Sequence, residues 1–91
     1  MSEAYIEAAC AHYAASKGVF SYKLQGSITG APDRLFLLPF GRVWPVEFKS
    51  ERGRLSPRQK LVHRQLAEAG HTVAIIRSLD EFKKGLTIQL I

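Results

Sequence analysis

A single cysteine in 91 residues, Cys10, leaves no partner for an internal disulfide. The chain is therefore not a small cross-linked secreted scaffold, and a reduced, intracellular setting is expected. The three histidines, His12, His63 and His71, are scattered and give none of the Cys/His spacings of a zinc site. Apolar runs are short, and none approaches the roughly 20 residues of a membrane-spanning helix. The opening stretch carries Glu3 and Glu7 and lacks the basic start and apolar run of a signal peptide. Repeats, low-complexity tracts and linkers are also missing, so nothing divides the chain.

A hydrophobic share of 46% with 23% charged residues is globular composition and excludes a disordered, collagen-like or mucin-like polymer. A chain this short buries only about 60–65% of its unfolded surface, so residues 1–91 are expected to form one domain. Bases outnumber acids by thirteen to eight, a net charge of +5. Segment 49–64 holds six bases (Lys49, Arg52, Arg54, Arg58, Lys60, Arg64) and one acid, Glu51, which accounts for the whole excess. A localised basic patch points to a polyanion, and to nucleic acid ahead of a membrane surface because no amphipathic lipid-binding helix accompanies it.

Ser2 caps a helix expected to run to Lys17 with Gly18 as its stop, since Ile6, Ala9, Cys10, Tyr13 and Ala14 recur at helical spacing. Residues 19–24 read as a strand and 25–32 as a turn-rich loop in which Gly26 and Gly30 supply conformational freedom. Residues 34–40 and 42–50 read as the two strands of a hairpin joined at Pro39 to Gly41. Ser56, Pro57 and Gln59 form a capping-box start for a second helix running to Ala69, with Gly70 as its stop. The apolar run in 71–77 predicts a strand buried on both faces. Ser78 and Glu81 cap a short helix ending near Gly85, and 86–91 reads as a weak terminal strand or docked tail. The order α-β-β-β-α-β followed by a short helix predicts an α/β fold, a mixed sheet flanked by helices.

Along the third strand Val43, Pro45, Glu47 and Lys49 share one face, while Trp44, Val46 and Phe48 share the other and read as core. Hairpin pairing brings Asp33 near Glu47. Two adjacent carboxylates repel unless a cation sits between them, and hard oxygen ligands suit Mg²⁺ or Mn²⁺. Lys49, on the face of Glu47, is placed to orient or deprotonate water or to neutralise charge on a phosphate. Glu7 lies at the edge of the first helix's apolar stripe and faces partly inward, an ordinary surface acid being the alternative. Gln59 shares a helix face with Val62, Leu66 and Ala69 and points to the sheet, besides its capping role. Lys23 meets a phosphate or simply extends its ammonium into water. His63 reads as a solvated side chain, with phosphate contact as the alternative, and His12 and His71 as surface residues.

A Glu-x-Lys pair on a strand carries little by itself. With its surroundings the sequence resembles the PD-(D/E)XK nuclease superfamily, Pro32-Asp33 being the first half and Glu47-Phe48-Lys49 the second. More closely it resembles a small stand-alone VRR-NUC domain, the virus-type replication-repair nuclease module of phages and bacteria. The matching residues are Glu7, Gly30-x-Pro32-Asp33, Glu47-Phe48-Lys49, Leu55-Ser56-Pro57-x-Gln59 and Leu66 to Gly70, spanning nearly the whole chain. The resemblance implies a restriction-endonuclease-like core and a metal-dependent phosphodiesterase. In it Asp33, Glu47 and Glu7 bind Mg²⁺ or Mn²⁺, the carbonyl of Phe48 adds a ligand, Lys49 assists catalysis, and Gln59 completes the site. The expected activity is structure-specific cleavage of branched DNA such as flaps or four-way junctions, with Lys23, Arg52, Arg54, Arg58, Lys60 and Arg64 on the backbone. Symmetrical cutting by one site per chain requires a twofold homodimer, and the setting implied is the cytoplasm of a bacterial or phage-infected cell. The alternative is a non-catalytic nucleic-acid-binding module. The acids speak against it, because a pure phosphate binder gains nothing from carboxylates beside its basic patch. RNA as substrate is disfavoured by the lack of an aromatic stacking platform.

Overall fold

A computed structural model describes residues 1–24 and 28–91, so the expectation for Gly26 lies outside the described residues. The elements are α1 (Glu3–Ser16), β1 (Ser21–Lys23), β2 (Arg34–Leu37), a 3₁₀ turn at Pro39–Gly41, β3 (Val43–Phe48), α2 (Pro57–Glu68), β4 (Ala74–Ile76) and α3 (Leu79–Gln89). The caps act as their residue types require. Ser2 Oγ accepts the Tyr5 N–H at 3.2 Å. Ser56 and Gln59 exchange both bonds of a capping box at 3.1 and 2.9 Å. Ser78 Oγ accepts from Glu81 at 3.1 Å.

The sheet order is β1-β2-β3-β4, antiparallel between the first three strands and parallel between β3 and β4. The parallel step needs a crossover, which α2 supplies. One face of the sheet carries Phe36, Trp44, Val46 and Phe48 into a core completed by Ile6, Cys10 and Ala14 of α1 and Phe82 and Leu86 of α3. Phe82 is its hub, with ring centroids 5.0 Å from Phe36 and 5.4 Å from Trp44. Burial pushes the Cys10 thiol up to about 12, leaving it an inert core residue. The other face holds Leu35, Val43 and Pro45, against which α2 lays Val62 and Leu66 beside an apolar groove.

Three expectations need correction. The last helix does not end near Gly85, and 86–91 is neither strand nor tail: α3 runs to Gln89. Phe82 and Leu86, one turn apart, are both buried, so the apolar stripe carries the helix through the glycine. Gly85 is a packing residue, since a Cβ there would stand 3.0 Å from the Trp44 ring. Finally, β4 forms the edge of the sheet, and its Ala74 and Ile75 are only half-buried, with Ile76 alone fully enclosed.

Candidate active site

Antiparallel pairing of Arg34 with Val46 places Asp33, one residue earlier, across from Glu47, where the two strands part. The Asp33 N–H donates to Val46 O at 3.0 Å. Its carboxylate Oδ2 accepts the Phe48 N–H at 2.7 Å, a charge-assisted bond that fixes the acid against β3. The loop leading to Asp33 is pinned by Gly30, whose φ of +89° only glycine adopts readily, and where a Cβ would lie 2.8 Å from the Arg58 carbonyl oxygen. This glycine allows close approach of the loop to the start of α2, a tighter duty than turn freedom.

Glu47 is 1% exposed and Lys49 8%. The Glu47 carboxyl is pushed up to about 8, first by burial, then by the charge of Asp33 and a hydrogen bond with it, with Glu3 adding and the Lys49 ammonium opposing. Gln59 Nε2 donates to Glu47 Oε2 at 3.3 Å, so the capping residue also reaches the site. His63 lies one turn further along α2, its Nε2 3.3 Å from Glu47 Oε1. It is not the solvated side chain expected: its side chain is only 11% exposed, and burial, aided by Lys49 and opposed by Asp33, lowers its pKa. The helix period would have located it, because positions 59 and 63 face the same way.

Glu7 is inward-facing as expected, but its partners are cations. Oε2 accepts from Arg34 Nε at 2.8 Å and from Lys23 Nζ at 3.1 Å. Arg34 pairs with Val46, so this cluster occupies the α1 face of the sheet, while Glu47 faces α2. From α1 it is Glu3 whose charge is felt at Glu47. Sequence reasoning missed Glu3, which precedes the apolar stripe and carries no pattern signal. Arg77 was missed too. Its Nη1 donates to the carbonyls of Ser50 at 2.8 Å and Gly53 at 2.6 Å, bracing the turn that follows Lys49. Arg52, Arg54, Arg58, Lys60 and Arg64 are exposed, and Lys23 is partly so despite its ion pair.

Two acids stand side by side, one of them fully buried and raised far above its usual pKa, with an oxygen, Oε1, lacking any hydrogen-bond partner. They fit a divalent cation: the hard oxygens suit one, and a cation between the acids would relieve the repulsion that helps raise Glu47. Among the described residues no three His, Cys, Asp or Glu side chains stand close enough to make a finished cage, so the site offers donors rather than a preformed shell.

An α-β-β-β-α-β core with Asp33 at the start of one strand and Glu47-Phe48-Lys49 at the end of the next is the architecture of the PD-(D/E)XK nucleases. The VRR-NUC domain model matches residues 3–80, and the chain belongs to that family of nuclease domains. A solved structure described as a VRR_NUC domain is 28% identical, covers 93% of this chain and 94% of its own, and superposes with a TM-score of 0.83. A second, a VRR_NUC domain protein at 13% identity, covers 98% and 88% with a TM-score of 0.79, a likeness of fold. No curated protein matches the chain.

Proposed function

We propose that this nuclease domain is a divalent-metal-dependent endonuclease that cuts branched DNA as a homodimer. The observation that carries this reading is the pair Asp33 and Glu47, held carboxyl to carboxyl with Glu47 buried, Asp33 half-buried and the buried Lys49 beside them. A fold gains nothing from setting two mutually repelling acids together in its interior, whereas a cation-dependent site needs them. Asp33, Glu47 and the Phe48 carbonyl would hold the ion, with Glu3 adding negative charge from α1 while Glu7 is engaged by Arg34 and Lys23. When bound, Mg²⁺ or Mn²⁺ supplies Lewis-acid stabilisation of the phosphoryl oxygens and an acidified water.

The chain's own groups do the rest. Phe48 N–H fixes Asp33 and Gln59 fixes Glu47, so neither carboxylate has to reorganise during the reaction. Lys49, buried at the end of β3, orients the attacking water or neutralises charge growing on the phosphate. Arg52, Arg54, Arg58, Lys60 and Arg64 grip the backbone, interactions that position DNA without reading its sequence. The described residues are taken up by the nuclease core and its exposed bases face phosphate, which favours recognition of shape, and paired cuts by one site per domain need a twofold dimer.

The test is a cleavage assay on labelled duplex, single-stranded, flap, splayed-arm and four-way-junction DNA with Mg²⁺, Mn²⁺ or EDTA. Cleavage should require metal, favour the branched substrates, and vanish in Asp33→Asn and Glu47→Gln while DNA binding persists. Cleavage retained in either variant refutes the assignment. Binding of all five DNAs without cleavage favours a purely binding module.

A further inference from the structure

Arg77, between β4 and α3, spends its guanidinium on main chain. Nη1 donates to the carbonyl oxygens of Ser50 at 2.8 Å and Gly53 at 2.6 Å, with that of Glu51 at 3.4 Å, and among the described residues no carboxylate pairs with it. The Arg77 N–H is held by Glu81 Oε1 at 2.6 Å, so the side chain starts from a fixed junction. The turn it grips closes with the Gly53 N–H on Ser50 O at 3.1 Å, directly after Lys49, whose own N–H is tied to Ile76 O at 3.0 Å. In a trans peptide the N–H points opposite to the C=O. Three carbonyls drawn onto Arg77 therefore turn the N–H groups of Glu51, Arg52 and Arg54 away from it, and among the described residues none of the three meets a main-chain acceptor. Peptide dipoles whose negative ends rest on an unneutralised cation present their positive ends outward. They do so beside the exposed side chains of Arg52 and Arg54, while the turn's one acid, Glu51, lines a cavity shared with Arg77, Ser78 and Leu79.

We infer that the turn at residues 50–54 is a main-chain phosphate site and that Arg77 is its positioning residue: without touching DNA, Arg77 holds the N–H groups and side chains of Arg52 and Arg54 against the backbone phosphates that flank the one to be cut. The inference rests on the DNA-cleaving reading above and deepens it. Main-chain N–H groups serve phosphate as side chains do, and they have no rotamer freedom to lose on binding. The grip on DNA next to Lys49 is thereby set from β4 and α3, outside the basic segment itself.

The experiment measures the affinity of the full chain for a labelled DNA duplex in EDTA, so that binding is read without cleavage. Arg52→Ala and Arg54→Ala should each weaken binding several-fold in the wild-type chain but by less than about twofold once Arg77→Met is present, whereas Arg64→Ala, on the exposed side of α2, should cost the same in both backgrounds because distant sites add. Additivity of all three with Arg77→Met overturns the inference and leaves the nuclease reading standing. An equal loss of effect at Arg64 overturns it too, as general loosening of the fold. Thermal melting by circular dichroism checks that Arg77→Met is folded. If it is not, the wild-type chain decides: the amide signals of Arg52 and Arg54 should shift in nitrogen-15 correlated nuclear magnetic resonance as the duplex saturates the protein, and unmoved signals overturn the inference. No DNA binding by the wild-type chain removes both readings.

Discussion

Glu47 sets the pH behaviour of the metal-free protein. Its pKa is about 8 in the fold against an ordinary 4.5, so between those values the native state holds a proton that the unfolded chain has released. Stability from this group is full below about pH 4.5 and is lost as pH rises through 8, since folding there takes up a proton. Urea midpoints in EDTA should fall across that window, Glu47→Gln should flatten the fall, and excess Mn²⁺ should reverse it. A second residue-scale outcome concerns Phe40, which sits at φ +63° at the hairpin tip with its side chain 99% exposed. Phe40→Asn keeps a residue at home in the left-handed region and should raise stability by about 0.5–1 kcal/mol in chemical denaturation. Asp33, Glu47, Lys49 and Gln59 were legible because strand alternation and a helix face follow from spacing alone. Glu7 could be read as inward but not as the partner of Arg34 and Lys23, because that depends on which strand lies over α1. His63 was readable in principle from its four-residue offset from Gln59, and its burial was not, because α2 meets the sheet at an angle that no local pattern encodes.

The elements were clearest where their ends carry chemistry. The capping box at Ser56 and Gln59 announced α2, and Ser56→Ala should cost about 1 kcal/mol, read as a lower melting temperature. Glycine was the weakest guide, since its two meanings look identical in a sequence. Gly18 and Gly70, at φ +78° and +93°, end their helices as read. Gly85 instead lets Trp44 close onto α3. Gly85→Ala should destabilise by about 1 kcal/mol despite the better helix propensity of alanine, because the added methyl would press on a ring stacked against Phe82. Gly30→Ala should act on function as well. Strain at φ +89° and the clash with the Arg58 carbonyl would push the loop carrying Asp33 away from α2, lowering the cleavage rate more than the affinity for DNA, as single-turnover kinetics would show.

At the scale of the whole molecule, the order of elements was enough to anticipate a mixed sheet between helices, and the hairpin register brought the acids together. That Glu3 rather than Glu7 is the α1 acid whose charge is felt at Glu47, and that the last helix runs to Gln89, depend on three-dimensional packing. The basic residues of segment 49–64 are spread over the turn after β3 and the exposed side of α2. Replacing Arg58 or Lys60 with glutamate should therefore weaken DNA binding uniformly across sequences and flatten its salt dependence by roughly one unit of log–log slope for each phosphate no longer neutralised. The proximity of Asp33 and Glu47 to that basic surface has a thermodynamic consequence. On the proposed function, the charge of Asp33 opposes the approach of a polyanion until a cation neutralises it, so metal and nucleic acid would be each other's positive effectors. Reciprocity requires that the factor by which Mn²⁺ tightens an uncleavable DNA equals the factor by which that DNA tightens Mn²⁺. The acid pair would then make the domain a coincidence detector, charged with metal chiefly when its substrate is already in place.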